Sequence, residues 1–100
     1  MDKKIYYTAL ASSIFEEYIS WKNINQVYTH VKENKKAGIV SIKLILNRIA
    51  KRMFDMVKNL NPEQLNELKV NFNQKDWEII SLIVCEQKAI IEQQTSNINL

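Results

Sequence analysis

Two residues are able to break this chain, and only two. Gly38 is the single glycine and Pro62 the single proline in 100 residues. Sheets and tight hairpins need turn residues at short intervals, and here the intervals are tens of residues long. Long helices with short connections are what such a chain can build. The stretch between the two breakers carries the clearest pattern. Apolar residues recur at Ile42, Ile45/Leu46, Ile49, Met53, Met56/Val57 and Leu60, the three-and-four spacing of one helix face. The other side of that helix, over 39–60, carries Lys43, Arg48, Lys51, Arg52 and Lys58.

Similar signals divide the rest. A first helix is predicted from about Lys4 to Ser20, with Tyr7, Leu10, Ala11, Ile14, Tyr18 and Trp21 on one face. Asn23 or Asn25 is placed to cap a second helix carrying Ile24, Val27, Tyr28 and Val31. That helix should end over 34–38, with Gly38 in a left-handed conformation. Asn61, Pro62 and Gln64 spell a capping box with proline at the first helical position, and Leu60 and Leu65 stand where a hydrophobic staple belongs. Asn73 and Asp76, flanked by Phe72 and Trp77, repeat that logic for a last helix running to about Gln93. Residues 79–85 (IISLIVC) are apolar almost all round, so this part should be central and buried; a β-strand is the competing reading. The expected fold is all-α, a compact bundle of four to five helices without a sheet. Residues 1–93 form one domain and 94–100 a frayed tail. Trp21, Ile45, Ile49, Leu68, Trp77, Ile80 and Val84 are expected in its core.

Composition limits the chemistry. One glycine cannot build a phosphate-cradling loop. A single histidine, His30, rules out a multi-histidine centre. Cys85 lies in the most apolar stretch and reads as a structural thiol rather than a nucleophile; alone, it forms no internal disulfide and fits a reducing cytoplasm. Glu63 and Glu67, one turn apart, read as a solvated face, and Glu16, Glu17 and His30 are a weak metal trio. No enzyme, metal or cofactor is expected. No apolar run approaches the ~18 residues of a membrane span, and the first residues do not read as a signal peptide.

Charge is the feature that points to a partner. Residues 1–31 are neutral, 32–58 carry a net +6, and 59–100 a net −3. Lys35, Lys36, Lys43, Arg48, Lys51 and Arg52 therefore make a cationic face suited to nucleic acid or to one acidic protein partner. Gly38 between two helices also suggests a helix-turn-helix with 40–52 as reading helix. Ser41 and Asn47 are its few groups for base edges, so phosphate contacts should dominate. The rival reading is a protein-binding inhibitor.

Two families share these stretches. Residues 41–53 (SIKLILNRIAKRM), 60–68 (LNPEQLNEL) and 76–84 (DWEIISLIV) resemble the first half of the BrxA family of BREX phage-defence proteins, in which a basic helix precedes a short Pro-Glu-started helix and a long apolar one. The resemblance spans roughly 6–92 in pattern. It implies a helical DNA-binding protein with Lys43, Arg48, Lys51 and Arg52 as contacts, acting in phage–host defence. Lys35 and Lys36 followed by 44–49 (LILNRI) look like part of the pediocin-type bacteriocin immunity family, basic cytoplasmic helical bundles with a C-terminal tail. That likeness implies an immunity protein, and a phage-encoded inhibitor of a host defence complex fits the same size and charge.

Overall fold

The computed structural model describes residues 2–33 and 38–98, with side chains placed for 2–32 and 38–94. Four helices account for nearly all of them: α1 (Lys3–Glu33), α2 (Ile39–Val57), α3 (Pro62–Lys69) and α4 (Gln74–Ile98). The all-α bundle stands, and 79–85 is helix within α4 rather than strand.

The expected break at Asn23–Asn25 does not occur, and α1 runs unbroken for 31 residues. An asparagine caps a helix only where the chain has reason to stop. No glycine or proline lies between Lys3 and Glu33, and the buried stripe Tyr7, Ala11, Ile14, Tyr18 passes into half-buried Trp21 and Tyr28 without losing phase. Asn25 uses its carbonyl inside the helix, accepting from the Thr29 hydroxyl at 3.0 Å. Residues 34–37, where that second helix was expected to end, lie outside the described residues. Gly38 stands at the N-cap of α2 with φ 92°, the left-handed backbone that glycine adopts without steric cost.

The later boundaries follow their caps. Asn61 Oδ1 accepts from the Gln64 N–H at 2.8 Å, and Gln64 Oε1 accepts from the Asn61 N–H at 2.9 Å. This closes the capping box, with Pro62 at the first position of α3. At α4, Asn73 Oδ1 accepts from the Asp76 N–H at 2.8 Å, while the Phe72 and Trp77 rings lie 5.6 Å apart across the same junction. Helix α2 stops at Val57, three residues earlier than expected, because the chain tightens so that Leu60 N–H donates to the Val57 carbonyl. Helix α4 goes past Gln93 to Ile98, so most of the expected tail is helical; residues 99 and 100 lie outside the described residues.

α1 and α2 form an antiparallel hairpin with the largest helix–helix contact. α4 packs mainly against α2, and α3 docks on α1. A helix of 31 residues is about 46 Å long at 1.5 Å per residue, and the molecule measures 48 × 37 × 20 Å. α1 thus sets the length, and the thickness holds two helix layers. Every helix therefore keeps one face in solvent.

That geometry explains where the expected core was right. Ile49, Leu68 and Ile80 are buried, together with Ile14, Tyr18 and Met53. Trp21, Trp77 and Val84 are half-buried and pack against this cluster. Ile45 is a correction: it is 40% exposed, because the buried stripe of α2 is Leu46, Ile49, Ala50, Met53 and Val57, and Ile45 lies at its edge. The all-round burial of 79–85 is another. Ile80 and Ile83 face inward, but Leu82 is 70% exposed, since nothing in a two-layer bundle covers the back of α4. Cys85 falls on that open side and is exposed. It borders a groove with Val57, Leu60 and Leu65 and no residue of α1.

The Tyr18 hydroxyl donates to Asp76 Oδ1 at 3.2 Å and ties α1 to the first turn of α4. Burial, and then the Asp76 charge and hydrogen bond, hold its pKa above the ordinary 10.0. The folded state thus keeps a proton that the unfolded chain gives up near that pH. The stabilisation is complete below pH 10.0 and is lost as pH rises through the folded value. In an ultraviolet titration of phenolate, Tyr18 ionises above pH 10.0. Tyr18→Phe removes that late step and reduces the alkaline loss of stability. A Tyr18 that titrates at or below pH 10.0 contradicts the buried contact.

Candidate binding surface on the second helix

Helix α2 is the carrier of the cationic residues. Its inward stripe pins it against α1 and α4, which fixes where the rest of its side chains point. Lys43, Arg48, Lys51 and Arg52 are all exposed. They do not form one stripe. At 100° per residue, Lys51 and Arg48 lie opposite the buried face, Arg52 on the α1 flank and Lys43 on the α4 flank.

Their partners differ accordingly. Arg52 is engaged with α1: its Nε donates to Glu17 Oε2 at 3.0 Å, and Nη2 lies 3.0 Å from the same oxygen in an ion pair. Lys51 lies 3.7 Å from Asp55 one turn on, and Lys58 lies 3.4 Å from the same carboxylate. Such exposed pairs stabilise by only about 0.2–1 kcal/mol and open readily to a competing anion. Arg48 has no ion pair among the described residues. Lys43 borders a cleft shared with Trp21, Asn25, Asn47 and Glu86. Lys35 and Lys36 lie outside the described residues. The structure therefore brings Arg48 and Lys51 together outward, assigns Arg52 a second duty in holding the hairpin, and sends Lys43 to another side.

The same outward row is not purely polar. Val40 is 70% exposed and Leu44 54%, with Ile45, 40% exposed, toward the α1 flank, so its N-terminal half is apolar and its C-terminal half cationic. Asp55 was not among the residues singled out from sequence, and Glu17 was singled out only as a member of the weak metal trio, not as a partner of Arg52. Asp55 is legible as an i+4 neighbour of Lys51, whereas Glu17 is 35 positions from Arg52 and only the hairpin reveals it.

The helix-turn-helix reading does not fit. A pair of that kind crosses steeply at a short turn, whereas α2 runs back along α1, with Arg52 reaching Glu17 far from the connection. Among the described residues no group of three His, Cys, Asp or Glu side chains is placed to hold a metal ion, and Glu17 of the weak trio is taken by Arg52. Glu63 and Glu67 border an open groove with Lys3 and Lys4 rather than facing each other across a cleft. No helix among them is long and apolar enough to cross a membrane. No family model, curated protein or solved structure matches the chain.

Proposed function

We propose that this is a non-enzymatic binding protein that contacts nucleic acid through the outer face of α2, in the cytoplasm. The observation that supports it most is the outward pair Arg48 and Lys51. The first is without an ion pair among the described residues; the second is held only by a loose surface pair to Asp55. Lys43 and Arg52 extend the positive field to either flank. Cations spread over half a helix circumference suit a charged backbone better than a base-reading row. Contacts are thus to phosphates, with little choice of sequence. A setting in phage–host defence rests on the resemblance of 41–53, 60–68 and 76–84 alone.

Fluorescence anisotropy of labelled duplex DNA and RNA, repeated from about 50 to 200 mM salt, tests this. Binding with a log–log slope of roughly −2 to −4 matches two to four neutralised phosphates. Absence of binding at the lowest salt removes the reading.

A second reading has its own observation. Exposed Val40, Leu44 and Ile45 beside Arg48 and Lys51 make an apolar patch with a cationic rim. That pattern suits one acidic protein partner bound by an inhibitor or immunity protein. In that case binding is one-to-one, depends weakly on salt, and is lost on Val40→Ser with Leu44→Ser.

A further inference from the structure

Gln87 is out of place. It is 7% exposed, a polar side chain on the buried face of α4 among Ile80, Ile83 and Val84. Its amide makes no hydrogen bond among the described residues. Yet no side-chain nitrogen or oxygen there is fully occluded without a partner, so the amide keeps an opening, and the cleft it lines is the one between α1, α2 and α4. An amide that reaches the cleft without a protein partner is available to hydrogen-bond a ligand there.

The lining of this cleft is specific in kind. Trp21 and Tyr28 bring two aromatic rings from positions two turns apart on α1. Asn25 from α1 and Asn47 from α2 add two more amides, so three helices each present one carboxamide to the same space. Each carboxamide both donates and accepts. Lys43 and Glu86 complete the polar lining with one charge of each sign. The volume is 300 Å³, at the low end of ligand pockets of about 300–1,000 Å³, room for one ring system.

We propose that this cleft binds a nucleobase, supplied either as a free nucleotide or as one unstacked base of a strand. An aromatic ring takes a face of the base, and the amides of Asn25, Asn47 and Gln87 take its hydrogen-bonding edge. Glu86 accepts from ring or exocyclic N–H, and Lys43 meets the phosphate. The site does not depend on the outer face of α2, since neither Arg48 nor Lys51 lines it.

The chain has two tryptophans, so Trp77→Phe leaves Trp21 as the sole reporter. Titrating that variant with GMP, AMP, CMP and UMP gives a saturable change in Trp21 emission, with a Kd for the best of them below about 1 mM. Calorimetry on the unsubstituted chain gives the same ranking without relying on that variant. Gln87→Leu, close in size and apolar, stays folded by circular dichroism and loses roughly tenfold in affinity, as one lost hydrogen bond predicts. Arg48→Glu with Lys51→Glu leaves mononucleotide affinity unchanged, which separates this site from the surface of α2. If only a short single-stranded oligonucleotide perturbs Trp21, and Gln87→Leu abolishes the effect, the base comes from a strand. No response to any nucleotide or oligonucleotide overturns the proposal. So does equal affinity for ribose 5-phosphate, or a Gln87→Leu protein that binds as before.

Discussion

Leu68→Ala lowers the unfolding free energy by about 2–5 kcal/mol, the range for emptying a buried leucine site that collapses only in part. Leu68 is fully buried and is the one buried residue of α3. An eight-residue helix has no stability of its own in water, so α3 exists because this side chain enters the cluster containing Ile14, Tyr18, Met53 and Ile80. A domain of this size has roughly 5–15 kcal/mol in total, and each kcal/mol moves Tm by about 4–8 °C. The variant therefore melts at least about 8 °C below the parent. Its neighbour Val70 is 81% exposed, and Val70→Ala changes stability by no more than about 0.5 kcal/mol. Thermal and denaturant unfolding of the pair check this. Equal effects at the two positions mean that α3 is not docked through Leu68.

The contrast between Leu68 and Ile45 shows what the sequence reveals and what it hides. Both fall on apolar stripes. Leu68 is the last inward position of a helix whose start is written in Asn61, Pro62 and Gln64, and those local hydrogen bonds form as the residues dictate. Local chemistry also placed Asn73, Phe72 and Trp77. Ile45 fails because the width of a buried stripe depends on how many neighbours a helix has. In a molecule 20 Å thick α2 is covered on one side only. Leu82 and Cys85 fail for that reason too. The fused α1 shows the reverse limit: Asn23 and Asn25 are good caps, but a cap is used only where packing ends a helix, and the stripe from Tyr7 to Tyr28 continues.

The binding surface is half legible in the same sense. That α2 is cationic follows from sequence. Which cations face outward follows from the phase of α2 against α1, and that phase diverts Arg52 to Glu17. Gln87 is legible afterwards, since Ile80, Val84, Gln87 and Ile91 keep three-and-four spacing and put an amide where an apolar residue belongs. Its neighbours in the cleft come from helices 40 and 60 positions away in sequence, and no spacing rule joins them.

Arg48→Glu combined with Lys51→Glu reduces affinity for duplex DNA on the order of 100-fold near 100 mM salt and lowers the salt slope by about 2. The choice of residues comes from their partners. Arg52→Glu also breaks the contact with Glu17 and places two acids side by side on the hairpin, so a loss of binding there has two causes. Lys43→Glu disturbs the cleft between α1, α2 and α4 as well. Arg48 and Lys51 are exposed and hold no other helix. Each reversal removes two units of charge, taking the net charge from +3 to −1. The cost to folding is that of surface changes, about 0.5 kcal/mol, with a few tenths more because Glu at position 51 faces Asp55 one turn on. Far-ultraviolet circular dichroism and Tm establish that the fold persists, and anisotropy across salt then isolates the electrostatic loss. Val40→Ser with Leu44→Ser leaves DNA affinity within twofold if phosphates alone are contacted. If the serine pair abolishes binding to a partner protein while the charge reversal only slows association, the face is a protein-docking surface and its cations steer rather than hold.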